Sequence, residues 1–161
     1  MGKSCLVKAL SMDANIVINT GLSGFIMLDR VLEVSASRIV GTRSFTGVPA
    51  FLPLESLAQL GAFHIRYVTE FSRHVFLIKI VSCSIPLSTA LEGEYVLSGN
   101  LLSRTDSSFR SLVKAERDRE AAAEAEFLFA AVDYDLNFKK RILHDHYIKV
   151  FSCLQRDSKT V

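Results

Sequence analysis

Residues 51–71, FLPLESLAQLGAFHIRYVTEF, form the segment that decides the fold. Pro53 is compatible with a helix here because it falls in the first turn, where its missing N–H has no partner to lose. The segment predicts one long helix with a broad apolar surface. That surface is built from residues at helical spacing: Leu54, Leu57, Ala58, Gly61, Ala62, Ile65 and Val68.

The segments next to this helix have the composition of β-strands. Residues 25–34 are rich in β-forming side chains, residues 35–37 provide a turn, and residues 38–45 return as a second strand. After the helix, residues 75–85 are almost continuously apolar, which predicts a strand buried on both faces.

The rest of the central region also favours strands. Residues 94–102 and 109–116 alternate in polarity around the turn at residues 105–108, and residues 121–133 form one more strand. Residues 121–125 alone would favour a helix by propensity. A single long helix against one antiparallel sheet is an α+β fold.

Residues 135–154 have the pattern of an amphipathic helix. Leu143, Tyr147, Val150 and Leu154 recur at helical spacing, Phe138 and Ile142 share one stripe, and Asp135 is placed to be the N-cap. We expect this helix to pack on the outside of the main body or across a dimer. The basic run at residues 139–141 could dock an acidic carrier protein, but a solvated helix face is the better interpretation.

Composition restricts the class of protein. The chain has 161 residues, which is the size of one domain, and its net charge of +2 is too balanced for a general nucleic-acid binder. No stretch approaches the ~18 apolar residues of a membrane span, so we expect a soluble protein. The three cysteines, Cys5, Cys83 and Cys153, are widely spaced, which argues against a disulfide framework or a zinc knuckle and favours the cytoplasm.

Three sequence motifs, in order, resemble the hot-dog β-hydroxyacyl-[acyl carrier protein] dehydratases. The first is Phe25-x-x-Leu28-Asp29-Arg30-Val31-Leu32-Glu33, the second is Pro49-x₅-Glu55-Ser56-Leu57-Ala58-Gln59, and the third is the strand at residues 123–130. The resemblance covers residues 24–133. It implies a hot-dog domain over residues 1–134, with residues 135–161 as an added C-terminal helix and tail.

The resemblance also implies an active site. In that family a histidine in a His-Phe-Pro-Gly loop acts with a carboxylate on the partner's central helix, and Glu55 matches that carboxylate. Ser44 stands where the family has its histidine, and the loop before Pro49 is about three residues shorter. Phe45, Gly47, Pro49, Ala50 and Gln59 would then contact substrate, and the backbone N–H of Ala50 would lie near the substrate carbonyl.

The missing histidine makes ordinary dehydration doubtful. Neutral serine has no useful basicity at pH 7, whereas a general base needs a pKa near the working pH. His64 lies nine residues after Glu55, about half a turn away in angle, so it should point to the opposite side of the helix. His74 lies at or beyond the helix end. The neighbouring pair His144 and His146 diverges on a helix, which argues against a metal site.

Two kinds of function remain open from the sequence. The first is an enzyme of acyl-thioester metabolism, in which Glu55 activates water or attacks the thioester directly and the helix N-terminus stabilises the oxyanion. The second is a non-catalytic acyl-binding or scaffold protein. In both cases the partner is an acyl group on acyl carrier protein or coenzyme A, no cofactor is expected, and the family precedent implies a homodimer or a trimer of dimers.

Overall fold

The computed structural model describes residues 26–49, 51–85 and 90–156. Phe25 and Ala50 lie outside these ranges. The elements in chain order are β1 (Arg30–Val34), β2 (Arg38–Val48), α1 (Leu52–Val68), β3 (Arg73–Ser84), β4 (Leu91–Arg104), β5 (Ser108–Arg117), β6 (Glu120–Asp133) and α2 (Lys140–Gln155).

The six strands form one antiparallel sheet in the order β1-β2-β4-β5-β6-β3. Helix α1 packs against strands β2 to β6, so the sheet wraps around it. Leu57, Leu60 and Ile65 of α1 are fully buried and share one core with Phe127 and Phe129 of β6. The α+β prediction is confirmed, and the architecture is the hot-dog fold.

Helix α1 begins and ends for local reasons. Pro53 lies in the first turn, as expected. The helix ends at Val68 rather than at Phe71, because Glu70 and Phe71 have positive φ angles of 53° and 55°. The hydroxyl of Thr69 donates to the carbonyl of Ile65 at 2.9 Å and so satisfies one of the last helical carbonyls.

Strand β6 contains the alanine run that favours a helix by propensity. It is a strand because it pairs along its length with both β5 and β3, and this tertiary pairing outweighs the local preference. Its small side chains Ala123, Ala125 and Ala131 are buried. A Cβ on Gly61 would lie 3.0 Å from the Phe129 ring, so glycine permits the close approach of α1 to this strand.

The prediction that residues 75–85 are buried on both faces is wrong for the single chain. Val75 is buried, but residues 76–84 of β3 are exposed. The reason is topological, since among the described strands β3 lies at the edge of the sheet and pairs only with β6. Sheet order, which local composition does not specify, decides the exposure.

Helix α2 starts later than predicted, and Asp135 is not its N-cap. The Asp135 carboxylate accepts hydrogen bonds from the backbone N–H groups of Asn137 and Phe138, both at 2.8 Å, which makes a turn before the helix. The N-cap is Lys139, without a side-chain cap. The short aspartate side chain accepts hydrogen bonds from nearby backbone N–H groups both as an N-cap and in this kind of turn. The sequence alone therefore did not distinguish the two structures.

The predicted packing of α2 on the main body is confirmed. Phe151 lies 5.8 Å from the Phe63 ring, 6.1 Å from Tyr67 and 5.4 Å from Phe71, and the helix also contacts both edge strands, β1 and β3. In the predicted stripe, Val150 and Leu154 are buried, whereas Leu143 and Tyr147 are partly buried. The helix therefore covers the side of α1 that the sheet leaves open.

Two further sequence predictions concern the cysteines and the membrane. Cys83 is a free, exposed thiol, but Cys153 is buried and disulfide-bonded, which weakens the cysteine argument for a reducing compartment. Cys5 lies outside the described residues. Within the described ranges, neither helix is long and apolar enough to cross a membrane.

Candidate functional site

Glu55 lies in the first turn of α1, and its side chain is held by Gln59. The Gln59 amide donates from Nε2 to Oε1 of Glu55 at 2.9 Å, and its Oε1 accepts the backbone N–H of Met27, also at 2.9 Å. The two side chains meet because residues four apart share a helix face. Glu55 is otherwise exposed and makes no ion pair with any described residue, so its carboxylate is available to a ligand.

A cavity of about 210 Å³ begins beside this carboxylate. One wall is a stripe of α1 that contains Glu55, Gln59, Ala62 and Arg66, and the opposite wall is residues 75–77 of β3. The lining is otherwise mostly apolar. Its remaining members are Ile26, Ala58, Phe63, Phe129 and Tyr147. A mostly apolar cavity with a few convergent polar groups is the usual form of a small-molecule site.

The structure does not bring Ser44 to this cavity within one chain. Phe45 points into the core, 4% exposed, so the neighbouring Ser44 faces the other side of the sheet and is exposed. The N–H of Ser44 donates to the Asp29 carboxylate at 2.6 Å, while its hydroxyl makes no hydrogen bond with the residues that the structure describes. No base among the described residues therefore activates that hydroxyl.

The other residues predicted to contact substrate lie around the end of β2, away from the cavity lining. Phe45 packs edge-on against Tyr95 with ring centroids 5.6 Å apart. Gly47 and Pro49 are exposed, and Gly47 has a φ of 61° within a bulge that shifts the β2–β4 register. Ala50 lies outside the described residues. Of the predicted site residues that the structure describes, only Glu55 and Gln59 meet.

The N-terminus of α1 has fewer free donors than an ordinary helix. The N–H of Leu52 donates to Pro49 at 3.0 Å, the N–H of Leu54 donates to Phe51 at 3.1 Å, and Pro53 has none. Among the described residues, the N–H of Phe51 is left without an acceptor at this terminus. It precedes Glu55 by one helical turn, so the donor and the carboxylate lie at the same end of one helix face.

The histidines do not supply a base beside Glu55. His64 is fully buried, its Nε2 lies 3.0 Å from the Ser35 carbonyl, and burial lowers its pKa. The expectation that it points away from Glu55 is confirmed. His74 stacks on Phe138 with centroids 4.4 Å apart, and burial, followed by the charge of Arg66, lowers its pKa.

His144 and His146 each contact a neighbouring side chain on α2. His144 Nδ1 lies 3.1 Å from the Asp145 carboxylate, and His146 packs edge-on against Tyr147. The parts of the chain that the structure describes hold no cluster of three or more His, Cys, Asp or Glu side chains suited to a metal.

Arg66 is the functional candidate that the sequence analysis missed. It is 5% exposed, lies at the opposite end of the cavity from Glu55, and donates from Nη2 to the Val75 carbonyl at 2.8 Å. A signal was present in the sequence. Residues 55, 59, 62 and 66 fall on one helix face, and an arginine on a face that is otherwise apolar marks a buried charge.

Two other depressions are larger but lack the features of an acyl site. One, of about 540 Å³, is lined by charged residues around the β5–β6 turn, and the other, of about 310 Å³, lies beside the β4–β5 turn. The first lies away from α1, and the second contacts only the C-terminal end of α1, at Val68 and Thr69. Of these three, the cavity at Glu55 is the one that combines a carboxylate with a mostly apolar lining.

Comparison with solved structures supports the fold. A conserved protein from Pseudomonas aeruginosa matches with a TM-score of 0.57 at 10% identity, over 64% of this chain and 87% of that chain. A thioesterase from Haemophilus influenzae matches with a TM-score of 0.56 at 9% identity, over 64% and 77% of the two chains. A thioesterase family protein from Silicibacter pomeroyi matches with a TM-score of 0.56 at 13% identity, over 65% and 84%.

No protein-family model matches the sequence, and no curated protein matches it either. At these low sequence identities the structural likeness shows the hot-dog fold alone. The function has to be argued from the side chains of the candidate site.

Proposed function

We propose that this protein hydrolyses acyl thioesters of coenzyme A or acyl carrier protein, with Glu55 as the catalytic carboxylate. The observation that carries the proposal is the position of Glu55, which is oriented by Gln59 at the mouth of an apolar cavity and is free of any ion pair with described residues. An acyl chain fits the apolar wall, and its thioester would then lie at the carboxylate.

The proposed reaction needs only water and the groups at the helix terminus. Glu55 takes a proton from a water molecule as the water oxygen attacks the thioester carbonyl carbon. The N–H of Phe51 and the positive end of α1 stabilise the resulting oxyanion. When the intermediate collapses, the C–S bond breaks and the thiolate takes the proton from Glu55, which leaves a carboxylic acid and a thiol.

Dehydration of 3-hydroxyacyl thioesters is a weaker candidate. It requires a base that removes a carbon-bound proton, and the described structure places no histidine beside Glu55. The names of the solved neighbours also favour hydrolysis, since two of the three are thioesterases. The relation to the dehydratases remains a prediction from sequence motifs.

We further propose that the active assembly is a homodimer joined through β3. Its exposed apolar side chains include Phe76, Leu77, Ile78, Ile80 and Val81. A long apolar edge strand without a partner promotes aggregation, and pairing with a second copy would cover it. Because β3 also forms one wall of the cavity, such a dimer would place the cavity at the subunit interface.

The decisive test of the proposed function is hydrolysis of hexanoyl-coenzyme A by the wild-type protein and by Glu55→Gln. The substitution keeps the shape of the side chain and removes the base, so we expect kcat to fall about 10²- to 10⁴-fold with folding intact. Glu94→Gln, an exposed glutamate on β4, is the matched control. Equal hydrolysis by wild type and Glu55→Gln, or none by wild type, would favour the non-catalytic acyl-binding alternative.

A further inference from the structure

The guanidinium of Arg66 is a buried charge without an anionic partner. It is covered by aromatic rings, with its Cζ 3.7 Å from the ring centroid of Tyr147 and 5.6 Å from that of Phe63. Nη2 donates to the Val75 carbonyl, but Nε is buried and has no hydrogen-bond partner. No carboxylate among the described residues pairs with it.

Burying the Arg66 guanidinium in this way costs free energy unless another group supplies the missing negative charge. A buried ion is tolerated when it is paired and its donors are satisfied, and the carbonyl and the ring stacking do this only in part. The titratable neighbours do not help. Burial, followed by the charge of Arg66, lowers the pKa of both His74 and His146, so neither ring gains from the arginine. Burial raises the pKa of Tyr134, which disfavours a negative charge on that neighbour.

The position of Arg66 on α1 places this unpaired charge in the wall of the same cavity as Glu55. Arg66 follows Glu55 by eleven residues on the same face of α1, which separates their backbone positions by about 16 Å. Both side chains lean towards the N-terminus, and because arginine is the longer of the two, the gap between their charged groups is shorter than the gap between their backbones. A thioester held at Glu55 would therefore direct the far end of a short acyl group towards Arg66.

The size of the cavity sets the length of that group. Its volume of about 210 Å³ is smaller than the ~300–1,000 Å³ of typical drug-sized ligand sites. This fits a short acyl group and excludes a long fatty acyl chain from the single-chain cavity.

We infer that the cavity accepts a short acyl group whose far end carries a carboxylate, and that Arg66 pairs with this carboxylate. The inference deepens the proposed function and rests on it, because it assumes that the thioester end lies at Glu55. A charge-assisted pair from a planar guanidinium to a carboxylate is among the stronger polar contacts in proteins. Arg66 would thus set the preference for the acyl end, while Glu55 performs the hydrolysis.

The test compares two ligands of equal chain length that differ only at the far end, adipyl-coenzyme A and hexanoyl-coenzyme A. Binding is measured calorimetrically in the Glu55→Gln protein, which keeps the ligand intact. We expect adipyl-coenzyme A to bind at least about tenfold more tightly than hexanoyl-coenzyme A. Equal dissociation constants for the two esters would overturn the inference.

The role of Arg66 is tested in the same Glu55→Gln background. Arg66→Met keeps an unbranched stem in the apolar surroundings and removes the charge, so the preference for the adipyl ester should fall to about twofold or less. Arg110→Met, at an exposed arginine on β5, removes the same charge elsewhere and should retain the preference. The inference is contradicted if Arg66→Met still prefers the adipyl ester. It is also contradicted if Arg66→Met binds both esters more weakly by the same factor, because Arg66 would then contact the coenzyme A phosphates.

A second Arg66 variant and an independent hydrolysis assay distinguish failure of this inference from failure of the proposed function. If Arg66→Met does not fold, Arg66→Lys replaces it. We expect the preference for the adipyl ester to fall in Arg66→Lys, because the lysine ammonium lacks the planar, two-donor geometry of the guanidinium. An undiminished preference overturns the assignment. Hydrolysis by the wild-type protein is assayed independently. If wild type hydrolyses neither ester while Glu55→Gln still prefers adipyl-coenzyme A, the proposed function fails and the acyl-end assignment stands.

Discussion

Gln59 joins the Glu55 carboxylate to the backbone of Met27 through two hydrogen bonds of 2.9 Å each. In the proposed reaction its amide acts through Glu55, as a positioning residue, even though it also lines the cavity. A side chain held on both sides has few alternative rotamers, and this keeps the carboxylate oriented towards the cavity mouth.

We expect Gln59→Leu to lower kcat for hexanoyl-coenzyme A about tenfold, because Glu55 loses its donor. The substitution keeps a side chain of similar size in the cavity wall, so KM should change by less than about twofold. Steady-state kinetics separates the two parameters, and thermal unfolding confirms that the variant is folded. A raised KM with an unchanged kcat would instead assign Gln59 to substrate binding alone.

His64 makes the stability of the fold depend on pH. Burial lowers its pKa in the folded state below the ~6.5 of the unfolded chain. The unfolded chain therefore binds more protons at mildly acidic pH, and the stability that is present above about pH 6.5 is lost as the pH falls. His74 and His146 shift in the same direction and add to this loss.

We expect the free energy of unfolding to decrease from pH 7.5 to pH 5, and His64→Gln to reduce that dependence. The slope should fall by up to about 1.4 kcal/mol per pH unit within the titration window, because glutamine cannot bind the proton. Its amide can still donate to the Ser35 carbonyl. Urea unfolding at several pH values measures the slope. His144→Gln, at a partly exposed ring beside Asp145, is the control, and equal slopes in both variants would contradict the role of His64.

At the scale of elements, the contact between α2 and α1 rests on few side chains. Phe151 is 5% exposed and touches the rings of Phe63, Tyr67 and Phe71, whereas Ile142 on the same helix is 62% exposed. One side of α2 thus supplies the packing energy and the other lies in solvent.

Phe151→Ala should lower the free energy of unfolding by about 3–5 kcal/mol, since it leaves a cavity among three aromatic rings. The matched variant Ile142→Ala should change it by no more than about 0.5 kcal/mol. Chemical denaturation monitored by circular dichroism gives both values. If the two variants are equally stable, α2 does not contribute to the core in solution, and truncation at Asp135 should then also leave stability unchanged.

Sequence patterns predicted most elements because their signals are local. The period of α1, its early proline and the alternation of β4 and β5 all act within a few residues. The exposure of β3 depends on sheet order, and the direction of Ser44 depends on which face of β2 holds Phe45, so neither was available from local composition. The Glu55–Gln59 pair was predictable from spacing, whereas the supporting N–H of Met27 comes from a distant segment.

At the scale of the whole molecule, the exposed edge of β3 predicts self-association. Ile78 is 54% exposed on this strand, and Leu32 is 48% exposed on β1 at the opposite edge of the same sheet. The two positions have similar exposure and similar side chains, so they offer a matched pair for a charge substitution.

We expect the wild-type protein to sediment at twice its 17.9 kDa chain mass at micromolar concentration. Ile78→Lys should shift it towards the monomer, because a lysine on the paired edge would be buried in the interface. Leu32→Lys should leave the dimer intact. A stable wild-type monomer, or equal effects of the two substitutions, would exclude dimerisation through β3.

The contact of α2 with β1 has a consequence for synthesis on the ribosome. Strand β1 emerges early, but Lys140, the first residue of α2, is translated about 105 residues after Val34. At ~5–20 residues per second, the interval is about 5–20 s. From their synthesis until Phe151 is added, the aromatic rings on and just after α1 have no cover from α2. A nascent chain in this state is a natural client for chaperones, and slower translation of the last third of the message should increase its dependence on them.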